Sequence, residues 1–184
     1  PKRIPLIVSI NPFINETNAY ADYIVPDTVT YESWGISVPW ADVVAKTSTV
    51  RSPVVEPRVA KNAAGEPINL ESFLFAVART LKMPGFGPGA LKDRDGNTFD
   101  LDNATDFYLR GAANIAYSGG KPVGEANDDD LEVTGYNRYR ELLESKLKPG
   151  EWRQVAMVLT RGGRFDKVEQ AWEGDHLKVA HKPA

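Results

Sequence analysis

A mixed α/β fold is what this sequence predicts, and three observations carry the prediction. Residues 4–10 form a continuous apolar run closed by Asn11-Pro12, the pattern of a strand buried on both faces as in a parallel sheet. A second short run, Asp22-Tyr23-Ile24-Val25, is stopped by Pro26. Further on, Leu70, Phe73, Leu74, Val77, Ala78 and Leu81 recur at the spacing of one helix face.

Taken in order, residues 13–21 leave room for a short helix or turn between the two runs. The result is a strand, crossover, strand unit that is right-handed if its strands are parallel. Val29-Thr30-Tyr31-Glu32 and residues 50–55 alternate and are rich in β-branched side chains, while Pro53 and Pro57 confine them to edges or irregular ribbon. A meandering β excursion is expected there. Residues 60–67 are a polar loop and a candidate boundary.

Asn69 caps the helix over 70–81, Glu71 stands in its first turn, and Met83-Pro84-Gly85 ends it. A second helix is predicted over 104–116, with Asn103 as cap and Ser118-Gly119-Gly120 as stop. The third, over 136–147, places Tyr139, Leu142, Leu143 and Leu147 on one side and stops before Pro149-Gly150. The fourth, over 151–160, groups Trp152, Val155, Ala156 and Leu159, with Gly162-Gly163 to terminate it. Its valine content keeps a strand as the alternative. About four helices are expected in all, and the chain beyond Arg164 is polar, so fraying is expected there.

A length of 184 residues with 42% hydrophobic side chains suffices for one ordinary core, with room for a smaller satellite. The formal net charge is -3, with both signs spread along the chain. No basic stripe exists to neutralise phosphates, so nucleic acid and a membrane surface are set aside as partners. No apolar run approaches the roughly 18 to 20 residues that a bilayer span requires. The lack of cysteine excludes disulfides, thiolate catalysis and iron–sulfur ligation within these residues.

Each motif that suggests chemistry has a plainer explanation. Gly85-Phe86-Gly87-Pro88-Gly89-Ala90 has dinucleotide-fingerprint glycines, but it follows a helix where that motif must follow a strand, so a glycine–proline turn is expected. Asp93-Arg94-Asp95-Gly96-Asn97-Thr98 hints at a calcium loop, yet Ala104 stands where the closing Glu belongs, which leaves an Asp-Gly turn. Gly120-Lys121 is followed by Pro122 where a phosphate loop needs a hydroxyl. His176 and His181 are spaced for different sides of a helix and have no third ligand. Asp128-Asp129-Asp130 reads as a solvated acidic loop ahead of a helical region. No Gly-x-Ser-x-Gly elbow occurs, so the residues locate neither a catalytic group nor a metal site.

Ala19-Tyr20-Ala21-Asp22-Tyr23-Ile24-Val25-Pro26-Asp27-Thr28, followed by Tyr31-Glu32, resembles the alanine–aspartate–strand–proline signature of molybdopterin oxidoreductases of the dimethyl sulfoxide reductase family. Arg51-Ser52-Pro53-Val54-Val55-Glu56-Pro57 and then the 70–81 helix follow in the order seen in its sulfur-compound reductases. Pro84-Gly85-Phe86-Gly87, Asp106-Phe107-Tyr108-Leu109, Ala113-Asn114-Ile115-Ala116 and Arg161-Gly162-Gly163-Arg164-Phe165 extend the likeness over nearly the whole chain.

The resemblance implies an internal piece of a larger catalytic subunit. Residues 1–59 would be the end of a molybdopterin-binding α/β domain plus its β excursion, 60–164 a helical remainder, and 165–184 a polar tail. It implies bis-molybdopterin guanine dinucleotide and an iron–sulfur cluster in the parent protein, neither held by this piece alone. The implied partners are a membrane anchor subunit together with an iron–sulfur electron-transfer subunit, in the periplasm, with tetrathionate reduced to thiosulfate. Glu32 and Arg51 flank the excursion that the family brings near the pterin, and a guanidinium suits carbonyl or phosphate oxygens, so these two are the cofactor-binding candidates. A surface or interdomain role for the two is the competing account. Thiosulfate, polysulfide or arsenate reduction in the same family is the alternative, because substrate choice lies in funnel residues outside the chain. A free-standing α/β binding module is the alternative from another class.

Overall fold

The computed structural model describes residues 4–37, 47–165 and 167–178. It is a mixed α/β structure divided into two compact units, Pro1–Trp34 with Ser52–Asp106, and Gly35–Arg51 with Phe107–Ala184.

In the first unit, β1 (Val8–Asn11) and β2 (Tyr23–Pro26) pair in parallel, Val8 opposite Tyr23 and Asn11 opposite Pro26. β1 is shorter than its apolar run. Asp22 accounts for where pairing begins: its Oδ2 accepts the Ile7 N–H at 2.8 Å, and its own N–H donates to the Ile7 carbonyl at 2.8 Å. The connection carries a single 3-10 turn, Asn18–Tyr20. Burial on both faces, expected from the apolar run, is not found. Leu6, Val8, Tyr23 and Ile24 are exposed, because the sheet has two strands and nothing among the described residues covers either face fully.

The excursion begins differently from the expected strand. Thr30–Glu32 is a 3-10 turn, since the Glu32 side chain folds back on the Val29 N–H. Four alternating residues carry too little periodicity to reveal such a local bond. α1 (Leu70–Thr80) is capped as predicted: Asn69 Oδ1 accepts the Ser72 N–H at 2.9 Å and Ser72 Oγ accepts the Asn69 N–H at 3.0 Å. Its buried side chains, however, are Phe75 and Ala78, and Leu70, Leu74 and Leu81 are exposed. Phe75 meets Phe86 edge to face, with centroids 5.4 Å apart.

After α1 comes a hairpin that the sequence patterns do not announce, β5 (Gly87–Lys92) and β6 (Thr98–Leu101), with an irregular register between Gly87 and Leu91. The predicted Asp-Gly turn joins the two: Asp93 Oδ1 accepts the N–H groups of Asp95 and Asn97, each at 2.9 Å, and Gly96 takes φ 83°. Gly87-Pro88-Gly89 disguises the first strand. Its loose pairing suits residues of low β propensity.

The second unit contains a three-stranded antiparallel sheet ordered β3 (Gly35–Ser37), β4 (Thr47–Arg51) and β7 (Gly163–Phe165). Among the described residues four further α-helices follow α1: α2 (Ala104–Ala116), α3 (Asp128–Thr134), α4 (Arg140–Lys146) and α5 (Trp152–Thr160). The division between the units falls inside α2, after Asp106.

α5 is the hub, packing against α3, α4, β4 and β7. Its Val155, Ala156, Val158 and Leu159 are buried, as are Leu131, Leu143 and Val50 on the elements around it. The predicted helix over 136–147 starts as a 3-10 turn, Tyr136–Tyr139, before α4. Asp128-Asp129-Asp130, expected in a loop, is the first turn of α3, whose cap Asn127 accepts the Asp130 N–H at 2.7 Å. Beyond Arg164, where the polar sequence is expected to fray, the described residues extend to 178. A hairpin of β8 (Trp172–Glu173) and β9 (His176–Leu177) follows there, beside the buried Ala171.

Candidate functional site

Glu32 stands in the first unit, half-buried at the end of its 3-10 turn. Its Oε2 accepts the Val29 N–H at 3.1 Å and its Oε1 the Arg58 N–H at 3.2 Å. The adjacent Tyr31 carbonyl accepts the N–H groups of Val54 and Val55 at 2.8 and 3.2 Å. The carboxylate thus fastens the chain on either side of the excursion. An ionised carboxylate has about four acceptor positions, so lone pairs remain after these two bonds.

Arg51 belongs to the second unit, as the last residue of β4, opposite Gly35 in the ladder. Its guanidinium lies so close over Gly35 that a Cβ there would meet Nε at 2.7 Å. Glycine at 35 therefore gives the planar fork its room. The arginine is exposed, and a guanidinium is by its chemistry a planar fork suited to planar or anionic oxygens.

A buried ion pair lies outside every motif recognised in the sequence. Arg110 Nη1 is 2.7 Å from Glu151 Oε1, with both side chains only 6% exposed, and Lys148 Nζ approaches Oε2 at 3.7 Å. The Glu151 Oε1 contact is close but lacks the alignment of a hydrogen bond. The available signal is Arg110 itself, a charge set among Leu109, Ala112 and Ala113 on an apolar helix. The pair holds α2 to the start of α5.

The Arg161-Gly162-Gly163-Arg164-Phe165 motif has a structural explanation for four of its residues. Arg161 Nη2 reaches Asp130 Oδ1 at 3.4 Å. Gly162 takes φ 75° just past α5. Gly163 packs where a Cβ would collide with the backbone of Ser48 and Thr49. Arg164 Nη1 donates to the carbonyls of Ile115 and Ala116 at 3.5 and 3.1 Å, closing the end of α2.

A surface cleft of about 280 Å³ lies where Asp129, Asp130 and Thr134 of α3 face Thr160 and Arg161. Beside it Asp128 accepts from Arg153 Nη2 at 2.8 Å. That hydrogen bond, then the arginine's charge, holds the Asp128 carboxyl below its ordinary pKa. Arg153 and Arg140 in turn flank the Trp152 ring at 4.7 and 5.4 Å. Among the described residues, no group of three or more His, Asp or Glu side chains could hold a metal ion. His176 is exposed on β9, and His181 lies outside the described residues.

Over 182 residues, 99% of the chain, the sequence is 47% identical to the tetrathionate reductase A-subunit of Salmonella typhimurium. The chain is a relative of the tetrathionate reductase A-subunit. The tetrathionate reductase A-subunit of Archaeoglobus fulgidus is 34% identical over 93% of the chain. The selenate reductase A-subunit of Mesobacillus selenatarsenatis is 32% identical over 96%. The chain spans 18% of the length of the Salmonella and Mesobacillus proteins and 16% of the Archaeoglobus one. No protein-family profile matches the chain. No solved structure matches it. Among the described residues, no helix is long and apolar enough to cross a membrane.

Proposed function

We propose that this chain is a segment of the catalytic subunit of a molybdenum-dependent reductase that converts tetrathionate to thiosulfate in anaerobic respiration. The observation that carries the reading is the 47% identity over 99% of the chain to a tetrathionate reductase A-subunit. The first unit supports it physically. Among the described residues its buried apolar side chains are Phe75, Ala78 and Leu101, while Leu6, Val8, Tyr23, Ile24, Leu74 and Leu81 are exposed. Parallel strands and an amphipathic helix of this kind are normally covered, and further polypeptide of the same subunit would cover them.

In the overall reaction two electrons cleave the central sulfur–sulfur bond of tetrathionate and release two thiosulfate ions. The molybdenum cofactor, bis-molybdopterin guanine dinucleotide, supplies that electron delivery when bound. Each of the two candidates, taken by itself, suits such a group in kind. Arg51 presents a planar fork for phosphate or carbonyl oxygens, and Glu32 keeps lone pairs for amino or imino hydrogens. Both act by binding and orienting. An iron–sulfur cluster and an iron–sulfur partner protein would deliver electrons, and a membrane anchor would hold the complex in the periplasm.

A second reading, another oxyanion on the same cofactor, is favoured by the match to a selenate reductase A-subunit over 96% of the chain. The test is to graft this chain in place of the matching segment of the Salmonella protein. Molybdenum content and tetrathionate-dependent oxidation of a reduced dye are then measured. The graft is expected to keep both, and the isolated chain to hold no stoichiometric molybdenum or iron. Stoichiometric metal in the isolated chain would contradict the reading, and a loaded graft that turns over selenate but not tetrathionate would establish the second one.

A further inference from the structure

Gly35 is a glycine that its own backbone does not require. It opens β3 opposite Arg51 of β4, and its φ lies outside the left-handed region that favours glycine. Among the described residues, the three heavy atoms that a Cβ there would meet first all belong to the Arg51 guanidinium: Nε at 2.7 Å, Cζ and Nη2 at 2.9 Å. Gly163 makes the contrast, because its obstacle is the backbone of Ser48 and Thr49, which cannot swing aside. At Gly35 the obstacle is the far end of a long side chain. What the missing methyl protects is therefore the direction of the guanidinium and not the fold.

The root of that side chain is held separately. β4 is the central strand of its sheet, between β3 and β7, and it packs against α5. Val50, one residue before the arginine, is 1% exposed and pairs with Ile36. The Ile36 Cδ1 in turn comes so close to Gly111 of α2 that a Cβ there would meet it at 2.9 Å. Arg51 thus leaves a fixed strand and lays its head over bare backbone while remaining exposed. An exposed arginine ordinarily spreads over many rotamers, and a ligand must order it on binding. One already lodged against a flat surface loses less.

We propose that Gly35 is a positioning residue for the cofactor: by carrying no side chain it holds the Arg51 guanidinium in one direction, toward an anionic or planar oxygen group of the pterin. This rests on the reductase reading above, with Arg51 as one of its cofactor-binding residues. A methyl at 35 turns the fork away while the strand that carries it stays in place.

The test places Gly35→Ala, Arg51→Ala and the double variant in the Salmonella graft, and Gly35→Ala also in the isolated chain. The rate at which molybdenum leaves each graft in dilute urea is measured, together with Tm. Gly35→Ala should release molybdenum about tenfold faster or more, the scale of one charge-assisted hydrogen bond lost. Arg51→Ala should do the same, and the double variant should be no faster than Arg51→Ala. In the isolated chain Gly35→Ala should leave Tm unchanged or raise it, since alanine restricts the unfolded chain more than glycine does. A lowered Tm there would make Gly35 a packing residue and overturn the proposal. So would release from the Gly35→Ala graft at the unaltered rate, or a double variant whose effect is the product of the two singles. Molybdenum held equally well without the arginine would take Arg51 out of the cofactor site and the proposal with it, leaving the reductase reading intact. An unaltered graft that matches the Salmonella protein in Tm and yet holds no molybdenum sinks the reductase reading itself.

Discussion

Asp128 and Gly163 show how far single residues decide local structure in this chain. Asp128 is fully exposed, and its Arg153 hydrogen bond and charge lower its pKa. A lowered folded-state pKa adds stability above the unfolded value and loses it as pH falls through the folded one. Asp128→Asn should therefore lower Tm near pH 7, and the gap to the unaltered chain should close as pH falls through the lowered pKa of the folded state and shrink with added salt. Thermal melts across pH check this, and a gap that ignores pH would refute the ion pair. Gly163→Ala drives a methyl into the Ser48 and Thr49 backbone and should cost about 1–3 kcal/mol by loosening the β4–β7 ladder. Denaturant titration measures it. Residue-scale signals are the most legible part of the sequence. Asn69 and Asn103 can be recognised as caps because side-chain oxygens beside helix starts act locally. The Glu32 bond to Arg58 cannot, because its partner lies outside any local pattern.

At the scale of elements, α1 and α2 are readable from period and caps, and α2 has the predicted bounds, Ala104–Ala116. Three of the departures share a cause. The β5–β6 hairpin, the 3-10 turn at Thr30–Glu32 and the short α3 each rest on few residues, where a turn or a side-chain bond outweighs propensity. The face that α1 buries departs from expectation for another reason. An apolar stripe such as Leu70, Leu74 and Leu81 signals burial, and the described residues do not supply it. Between α2 and α5, Arg110 and Glu151 make a further prediction. Arg110→Ala should destabilise by about 3–5 kcal/mol, because it removes the buried partner of the Glu151 carboxylate and leaves only the more distant Lys148 near it. The double change Arg110→Met with Glu151→Leu should recover most of that loss. A double variant as unstable as the single would show that packing, not charge, is what the arginine supplies.

Across the whole molecule, the two units differ in how well each is closed. The second has a continuous core around α5, with Val155, Ala156, Val158 and Leu159 buried. The first, among the described residues, leaves apolar side chains of a parallel strand pair, of one face of a helix and of the loop after β1 exposed. The apolar run over 4–10 announces a sheet covered on both faces, and the structure shows the strand without the cover. That mismatch is legible only in part, since an apolar run tells that a strand should be buried and not by what. Glu32 and Arg51 are in the same position: their local surroundings are visible, and what they would bind belongs to the proposed larger protein.

Amide hydrogen exchange over residues 8–26, compared between the isolated chain and the Salmonella graft, tests that account most directly. The amides of β1 and β2 should exchange fast in isolation, near the rate set by local opening, and be strongly protected in the graft. Strong protection already in the isolated chain, unchanged on grafting, would mean that the strand pair is complete as it stands and would contradict the account.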